Sequence, residues 1–321
     1  MGRARWGWLW AAALAAGLGC GAAAHADRAV VLNSRDGTVS LIDLATYAEA
    51  GRIYVGKEPH HLIRALSGPE IIVANAAGND LVLLNAKRGE VVQRIPRIDD
   101  PYHLAYSPDR KWLVINSLRL NQVDLYDAPT LKLVKRIESG RMPSHLAYNG
   151  DSSLVFVTLQ EDNQVVAIDL ATQAIRWKYP VGEAPAGIWM TPDQRHLLVG
   201  MTGSDHLEII DWRVPKTVGR IVTGKGAHNF LPLPDGKRVL ISNRISNTVT
   251  VIDTETMKVL EQIPVPGGPD CMDLSRDGRE LWVTSRWIGK VSVVDMGTRK
   301  VTRQIPVGRS PHGILLAYDT P

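Results

Sequence analysis

One short polar position recurs every 42 residues along the chain, and this spacing limits the possible folds more than any other feature. The residue is aspartate in six copies and asparagine in one: Asp43, Asn85, Asp127, Asp169, Asp211, Asp253 and Asp295. Such a side chain can accept a hydrogen bond from the backbone two residues on and fix a turn. The unbroken register predicts a repeat protein in which each unit buries its faces against its neighbours.

The repeating unit is clearest in residues 226–268, where four short apolar runs are separated by turn-forming residues. The runs are 230–233, 239–242, 248–252 and 259–265, and the first turn is Pro234-Asp235-Gly236. Runs of this length, rich in Val, Ile and Thr and bounded by Gly, Pro, Asn and Asp, are typical of β-strands. Each unit is therefore predicted to be a four-stranded antiparallel sheet.

The two ends of the chain share one unit. Residues 28–56 supply only its second, third and fourth strands, while residues 312–318 match the missing first strand. A blade built from both termini locks a ring and protects its strand edges, and an open solenoid has no need of a split unit. We predict an all-β, seven-bladed β-propeller that fills residues 27–321 as a single domain.

Residues 1–26 have the pattern of a secretory signal peptide. Arg3 and Arg5 precede an apolar run that ends in the small-residue sequence Ala24-His25-Ala26, which predicts cleavage after Ala26. A lipoprotein form anchored at Cys20 is less favoured, since its leucine stands two residues before the cysteine rather than three. The mature chain has no further apolar run of about 18 residues, so we expect a periplasmic protein without a transmembrane segment.

Composition excludes several classes of function. Removing the two leader arginines leaves 35 Lys and Arg against 33 Asp and Glu, a net charge of +2, which does not favour nucleic-acid binding. Cys271 is the only cysteine of the mature chain, so a disulfide framework is excluded. No CxxCH motif is present for covalent c-type haem.

Residues 281–314, LWVTSRWIGKVSVVDMGTRKVTRQIPVGRSPHGI, resemble the YVTN-type propeller repeat of YncE-like proteins. This repeat is similar to the haem-d1 propeller of cytochrome cd1, and the resemblance covers the whole mature chain. It implies a propeller fold and a wide range of roles, including periplasmic binding, haem-d1 biosynthesis, lyase and lactonase activity. Because propellers host many unrelated activities, function has to be argued from the site.

Six of the eight mature-chain histidines fall in the two positions that follow the first residue of each blade link. At the first of these positions, four successive blades carry the candidate site His228, Asp270, His312 and His60. Imidazole and carboxylate groups suit a first-row transition metal. The nearby loops carry Arg244 and Arg286, candidates for binding an anion. A haem-like tetrapyrrole would use both features, with imidazole on iron and arginine on its carboxylates.

Because side chains alternate along a strand, the second position is expected to point away from the first. Its histidines, His61, His103 and His145, are interpreted first as structural groups bonded to a neighbouring blade, with ligand binding as the alternative. Cys271 is a candidate soft ligand or a small packed residue. Trp287 is a candidate to stack on a ring-shaped ligand or to cap its blade.

Three functional hypotheses follow, of which a binding scaffold without turnover is favoured. In an enzyme of the lactonase or lyase type, His228 or His312 would act as a general base oriented by Asp270, with the two arginines stabilising an oxyanion. In an interaction module, the broad face would bind another periplasmic protein. No established catalytic motif in the sequence supports the enzyme hypothesis.

Overall fold

The computed structural model describes Met1 and residues 27–318, and within them it contains 28 β-strands in seven four-stranded antiparallel sheets. The predicted all-β, seven-bladed propeller is confirmed. The predicted leader and its cleavage site lie outside the described residues, apart from Met1 and Asp27. Within the described part, no helix is long and apolar enough to cross a membrane.

Each sheet is one blade, and its four strands are arranged in order from the propeller axis to the outer edge. Blade 1 contains β28 (Pro311–Ala317), β1 (Arg28–Asn33), β2 (Thr38–Asp43) and β3 (Glu49–Tyr54). Blade 2 contains β4 (Pro59–Arg64), β5 (Ile71–Asn75), β6 (Asp80–Asn85) and β7 (Glu90–Pro96). Blade 3 contains β8 (Pro101–Tyr106), β9 (Trp112–Ser117), β10 (Gln122–Asp127) and β11 (Lys132–Glu138). Blade 4 contains β12 (Pro143–Tyr148), β13 (Leu154–Leu159), β14 (Gln164–Asp169) and β15 (Ala174–Pro180).

The remaining three blades repeat this order. Blade 5 contains β16 (Pro185–Met190), β17 (His196–Met201), β18 (His206–Asp211) and β19 (Lys216–Val222). Blade 6 contains β20 (Ala227–Pro232), β21 (Arg238–Asn243), β22 (Thr248–Asp253) and β23 (Lys258–Pro264). Blade 7 contains β24 (Pro269–Leu274), β25 (Glu280–Ser285), β26 (Lys290–Asp295) and β27 (Lys300–Pro306). Two single-turn 3₁₀ helices lie at Ala76–Gly78 and Arg286–Ile288.

The ring closes where the two ends of the chain meet. β28 pairs antiparallel with β1, so blade 1 has the strand order β28-β1-β2-β3. The first strands of neighbouring blades contact one another all the way around the axis, including β28 with β4 and with β24. Closure by both termini, as predicted, leaves only the outermost strand of each blade as an edge.

The hydrophobic core lies between blades. Seven apolar clusters occupy the seven blade interfaces of the described residues. The second strand of a blade is buried on both faces, as in β13, whereas the outermost strand alternates, as in β15. A strand covered on both sides reads as a continuous apolar run, and this is the pattern that the sequence shows.

The recurring aspartate has the role that its spacing predicts. The Oδ1 atom of Asp43 accepts hydrogen bonds from the backbone N–H groups of Ala45 at 3.0 Å and Thr46 at 2.8 Å. The same two bonds form at Asp169 and at Asp253. These turns start the outermost strand of each blade at the same place.

Candidate functional site

The first strands of the blades line a central channel, and every one of them contains a β-bulge. In β4 the pairing with β5 moves from Pro59–Asn75 directly to His61–Ala74, which leaves His60 as an extra residue. The same irregularity follows the first residue of the other six innermost strands. Because a bulge re-aims the side chains beside it, two consecutive residues can face the axis.

The expected alternation of these two positions is therefore wrong. The Nδ1 atoms of His60 and His61 are 3.0 Å apart. Both rings also contact the ring of His312, at centroid separations of 3.7 Å for His60 and 4.7 Å for His61. The two histidine series consequently form one cluster in the channel instead of two separate layers.

The blade links and the loops between second and third strands open on the same face, as the sequence predicts. Backbone bonds join them directly, from Arg244 N to Gly226 O at 3.0 Å and from Arg286 N to Gly268 O at 3.1 Å. Each arginine is thereby placed over the link that begins an innermost strand. This geometry brings Arg244 and Arg286 to the mouth of the channel.

Asp270 is the centre of the first half of the cluster, which we call the Asp270 group: His228, Asp270, His312, Arg244 and Arg286. Arg244 Nη2 lies 2.7 Å from both carboxylate oxygens of Asp270, and Arg286 Nη1 lies 3.1 Å from Oδ2. His312 Nε2 is 3.5 Å from Asp270 Oδ2 and 3.5 Å from Arg244 Nη2. The carboxylate is fully buried, while the arginine side chains are 21% and 26% exposed.

Electrostatics fixes the charge states of this group. Burial is the largest influence on Asp270 and would raise its pKa, but Arg244, His312 and His228 together outweigh it, so the pKa lies well below its usual range. Burial lowers the pKa of His228 to about 4, aided by Arg244 and opposed by Asp270. Burial likewise holds the pKa of His312 well below its usual value. Since both imidazoles are neutral at neutral pH, the arginines are the groups that keep Asp270 ionised.

His228 has unused bonding capacity. Its Nδ1 lies 2.9 Å from Asp270 Oδ1 and interacts with that carboxylate. Its Nε2 has no hydrogen-bond partner among the described residues, although the side chain is only 1% exposed. A buried polar group without a partner is costly, so this imidazole is available to a ligand.

The second half of the cluster is the imidazole triad, defined as His61, His103 and His145. Their ring centroids are separated by 4.5 Å, 4.8 Å and 5.2 Å. One ring nitrogen of each lies within 4.8 Å of one nitrogen of the other two. Burial lowers the pKa of all three, that of His103 to about 3, so the imidazoles are neutral at neutral pH.

The burial of the candidate residues differs from the sequence expectation. His60, His228, Asp270 and His312 follow blade links, which are usually exposed, yet each is at most 3% exposed. The first strands wrap tightly around the axis, so the site residues lie inside the channel. His312 donates from Nδ1 to the backbone oxygen of His60 at 2.8 Å, which ties blade 1 to blade 2. Replacing His312 should therefore lower stability whether or not the residue also binds a ligand.

Cys271 and Trp287 lie outside the two groups. The Cys271 thiol accepts a hydrogen bond from Asn229 Nδ2 at 3.1 Å and lies 3.6 Å from His312 Nδ1. Burial raises the pKa of this thiol far above neutrality, which makes it a poor metal ligand in this state. The Trp287 ring is 57% exposed and does not reach the channel histidines.

A cavity of about 990 Å³ lies between the loops and links of blades 1, 2 and 7, on the same face as the arginines. Its lining includes Arg286, which reaches into the channel, and Trp287. Arg35 and Lys57 also line it. Pockets of about 300–1,000 Å³ are typical for small-molecule ligands. This cavity was not anticipated, because its walls come from three blades.

Sequence reasoning also missed two polar residues. Ser144 was not among the candidate residues, but it is fully buried, with its Oγ 2.9 Å from His145 Nδ1. Gln160 holds the same hydroxyl, donating from Nε2 at 2.6 Å. Little in the sequence marks these residues. Ser144 occupies the same position in its blade link as His60 does in its own, but it carries neither a charge nor an imidazole.

A family model described as YNCE-like beta-propeller matches residues 8–321. No curated protein matches the chain. A solved protein of unknown function from Desulfotomaculum acetoxidans is similar, with a TM-score of 0.77, 15% identity, and coverage of 91% of this chain and 99% of the other.

Two further solved structures are similar in fold. Hydrazine synthase from Kuenenia stuttgartiensis gives a TM-score of 0.68 at 19% identity, covering 79% of this chain and 88% of the other. Dihydro-heme d1 dehydrogenase NirN in complex with DHE gives 0.66 at 17% identity, covering 90% of this chain and 74% of the other. At these identities the likeness concerns the fold alone.

Proposed function

Because the chain belongs to the YNCE-like β-propeller family, we propose that it is a periplasmic binding scaffold for an anionic, carboxylate-bearing ligand. One observation carries this proposal. Two guanidinium groups, from Arg244 and Arg286, share the single buried carboxylate of Asp270. With neutral imidazoles around them, the Asp270 group keeps one surplus positive charge at the channel mouth, and an anion would balance it.

The cavity beside the mouth has the same charge preference. Its two acidic residues are already paired, Asp36 with Arg309 at 2.5 Å and Glu58 with Arg119 at 2.7 Å. Within residues 27–318, Arg35 and Lys57 have no such acidic partner. A ligand carboxylate can therefore reach Arg286 while the rest of the molecule lies in a positively charged cavity.

A metal ion is a weaker candidate for His228, Asp270 and His312. The three side chains offer ligand atoms within 4.8 Å of one another, but the carboxylate that would attract a cation is neutralised by the two arginines. A divalent ion there would face their surplus charge at short range. The Asp270 group is better suited to a negative ligand.

A tetrapyrrole with carboxylate side chains is one ligand that fits this description. The ring centroids of His60 and His312 are only 3.7 Å apart, which leaves no space for a macrocycle between them. Such a ring would instead lie in the mouth cavity against Trp287, with its carboxylates toward Arg286. The similar fold of dihydro-heme d1 dehydrogenase NirN, solved in complex with DHE, supports including this ligand class among the probes.

Ligand binding is tested by calorimetry on purified protein at low ionic strength, with succinate, phosphate and hemin as probes. We expect saturable binding of succinate or hemin. Arg286→Gln should weaken it by about 10–100-fold, because one charge-assisted hydrogen bond is lost. Arg213→Gln is the matched control, since that arginine stacks on Trp212 away from this face. No saturable binding of any probe, or equal affinity in Arg286→Gln, would overturn the proposal.

A further inference from the structure

We propose that the imidazole triad, His61, His103 and His145, is a binding site for a first-row transition metal ion, zinc or copper(II). This site is separate from the anion site of the Asp270 group and does not depend on it. The argument starts from three atoms: His61 Nε2, His103 Nδ1 and His145 Nε2 are all buried and have no hydrogen-bond partner among the described residues. Three unpaired nitrogens converging at one place are a rare and costly arrangement.

The opposite ring nitrogen of two of these histidines is held in the way that metal ligands require. His61 Nδ1 donates to the backbone oxygen of Tyr102 at 2.7 Å. His145 Nδ1 lies 2.9 Å from Ser144 Oγ. This hydroxyl oxygen can accept a hydrogen bond from Nδ1 while also accepting one from Gln160. A proton on Nδ1 leaves the lone pair on Nε2, the nitrogen that has no other partner in either ring.

A purely structural role does not account for the triad. The bond from His61 to the neighbouring blade uses one nitrogen and leaves the other unpaired. All seven innermost strands carry the same bulge, yet the matching position in the other blades is Gly187, Asn229, Cys271 or Gly313. The fold therefore does not need imidazole there, and the three histidines lie on consecutive blades.

The chemistry of the donors indicates the class of metal. Three neutral nitrogens without a carboxylate suit zinc and copper, whereas calcium and magnesium prefer oxygen ligands. Zinc binds imidazole nitrogen at about 2.0–2.1 Å, so tetrahedral binding would bring the nitrogens to roughly 3.3 Å from one another. One nitrogen of each ring now lies within 4.8 Å of one nitrogen of the other two, so the nitrogens must approach by up to about 1.5 Å to reach the zinc geometry.

A fourth ligand position remains open on this site. Among the triad, His103 is the one that is partly exposed, which gives an ion a route to the site. Three protein ligands with an open position is the arrangement found in catalytic zinc centres.

The test uses metal-free protein, prepared with a chelator, and titrates cobalt(II) as a spectroscopic probe followed by zinc as competitor. We expect one equivalent of cobalt with visible bands of tetrahedral intensity, displaced by zinc. The double variant His61→Gln/His103→Gln should weaken binding by about 100-fold or more, since loss of even an outer-shell partner costs 10–100-fold. His196→Gln is the control, being a histidine outside the channel.

Two further measurements test the metal site without relying on the double variant. X-ray absorption at the zinc edge of the parent protein should show three imidazoles, and it requires no variant to fold. Arg286→Gln should retain metal binding, so that failure of the anion proposal and failure of this one can be told apart. Absence of stoichiometric metal, an all-oxygen shell, or unchanged binding in the double variant would falsify the site.

Discussion

The channel imidazoles are neutral because they are buried, and this sets the chemistry available to each residue. Burial lowers the pKa of His103 to about 3 and that of His228 to about 4. Neutral imidazole is the form that coordinates a metal and that avoids repelling the two arginines. Because of the same burial, the folded protein takes up protons less readily than the unfolded chain, so its stability should fall in acid.

We expect the metal-free protein to lose stability as the pH falls from about 6.5 to 4.5. A histidine has a pKa of about 6.5 when unfolded, so in this range the unfolded chain takes up protons that the folded chain does not. The free energy of unfolding should decrease by up to about 1.4 kcal/mol per pH unit for each such histidine. Asp270, with its pKa lowered below 3.8, titrates outside this window.

Urea unfolding at several pH values, on the parent protein and on His103→Gln, measures this effect. The free energy of unfolding of the variant should depend less steeply on pH, by up to about 1.4 kcal/mol per pH unit, because glutamine does not titrate. The difference between the two proteins isolates His103 from the other titrating groups. Parallel pH profiles for parent and variant would contradict the assignment.

At the scale of strands and blades, blade 5 explains how the cluster is completed. Its first strand contributes Ala186 and Gly187, which have little or no side chain to fill the channel. The strand of blade 6 approaches closely there, so that a Cβ added at Gly187 would lie only 1.7 Å from the backbone oxygen of His228. This close approach is what allows the His228 ring to reach His145 across the gap.

Gly187→Ala should therefore be strongly destabilising. Its methyl group would meet backbone atoms that cannot rotate away, and overpacking of this kind costs about 1–3 kcal/mol or more. Gly51→Ala in β3 is the control, because an added Cβ there meets nothing within 4 Å. Thermal unfolding of both variants provides the measurement, and equal midpoints would show that blade 6 is free to move.

The sequence predicted the elements better than the directions of their side chains. Blade number, strand order and the shared face of links and loops all follow from the spacing of turn residues such as Asp43 and Asp253. The bulges in the innermost strands were missed. These strands face a polar channel, so they lack the alternation of apolar residues that would reveal which of their side chains point inward. The inward direction of His61, His103 and His145 was missed for that one reason.

At the scale of the whole molecule, the closed ring is what holds the channel together. Each blade contributes at most two side chains to the cluster, and the blades are joined by apolar interfaces on both sides. Blade 1 supplies His312 from one end of the chain and its other three strands from the opposite end. The site is complete only when the ring is closed.

A chain that stops at Ser310 should fail to fold cooperatively. It lacks β28, so β1 has no inner partner, and the apolar side chains of Ile314 and Leu316 are missing from the cluster between blades 7 and 1. Removal of residues 319–321 alone is the control. Circular dichroism and urea unfolding should show a broad, weak transition for the first truncation and a sharp one for the second. A sharp transition in both would mean that six blades are self-sufficient.

The pairing of β28 with β1 also dictates when the fold can be finished. Among the described strands β28 is the last in chain order, yet its partner β1 is the first. Until β28 arrives, β1 presents a bare row of amides and carbonyls, which can pair with β28 of another copy as readily as with its own. Refolding at high protein concentration should therefore favour exchanged dimers, and refolding at low concentration should favour the closed monomer.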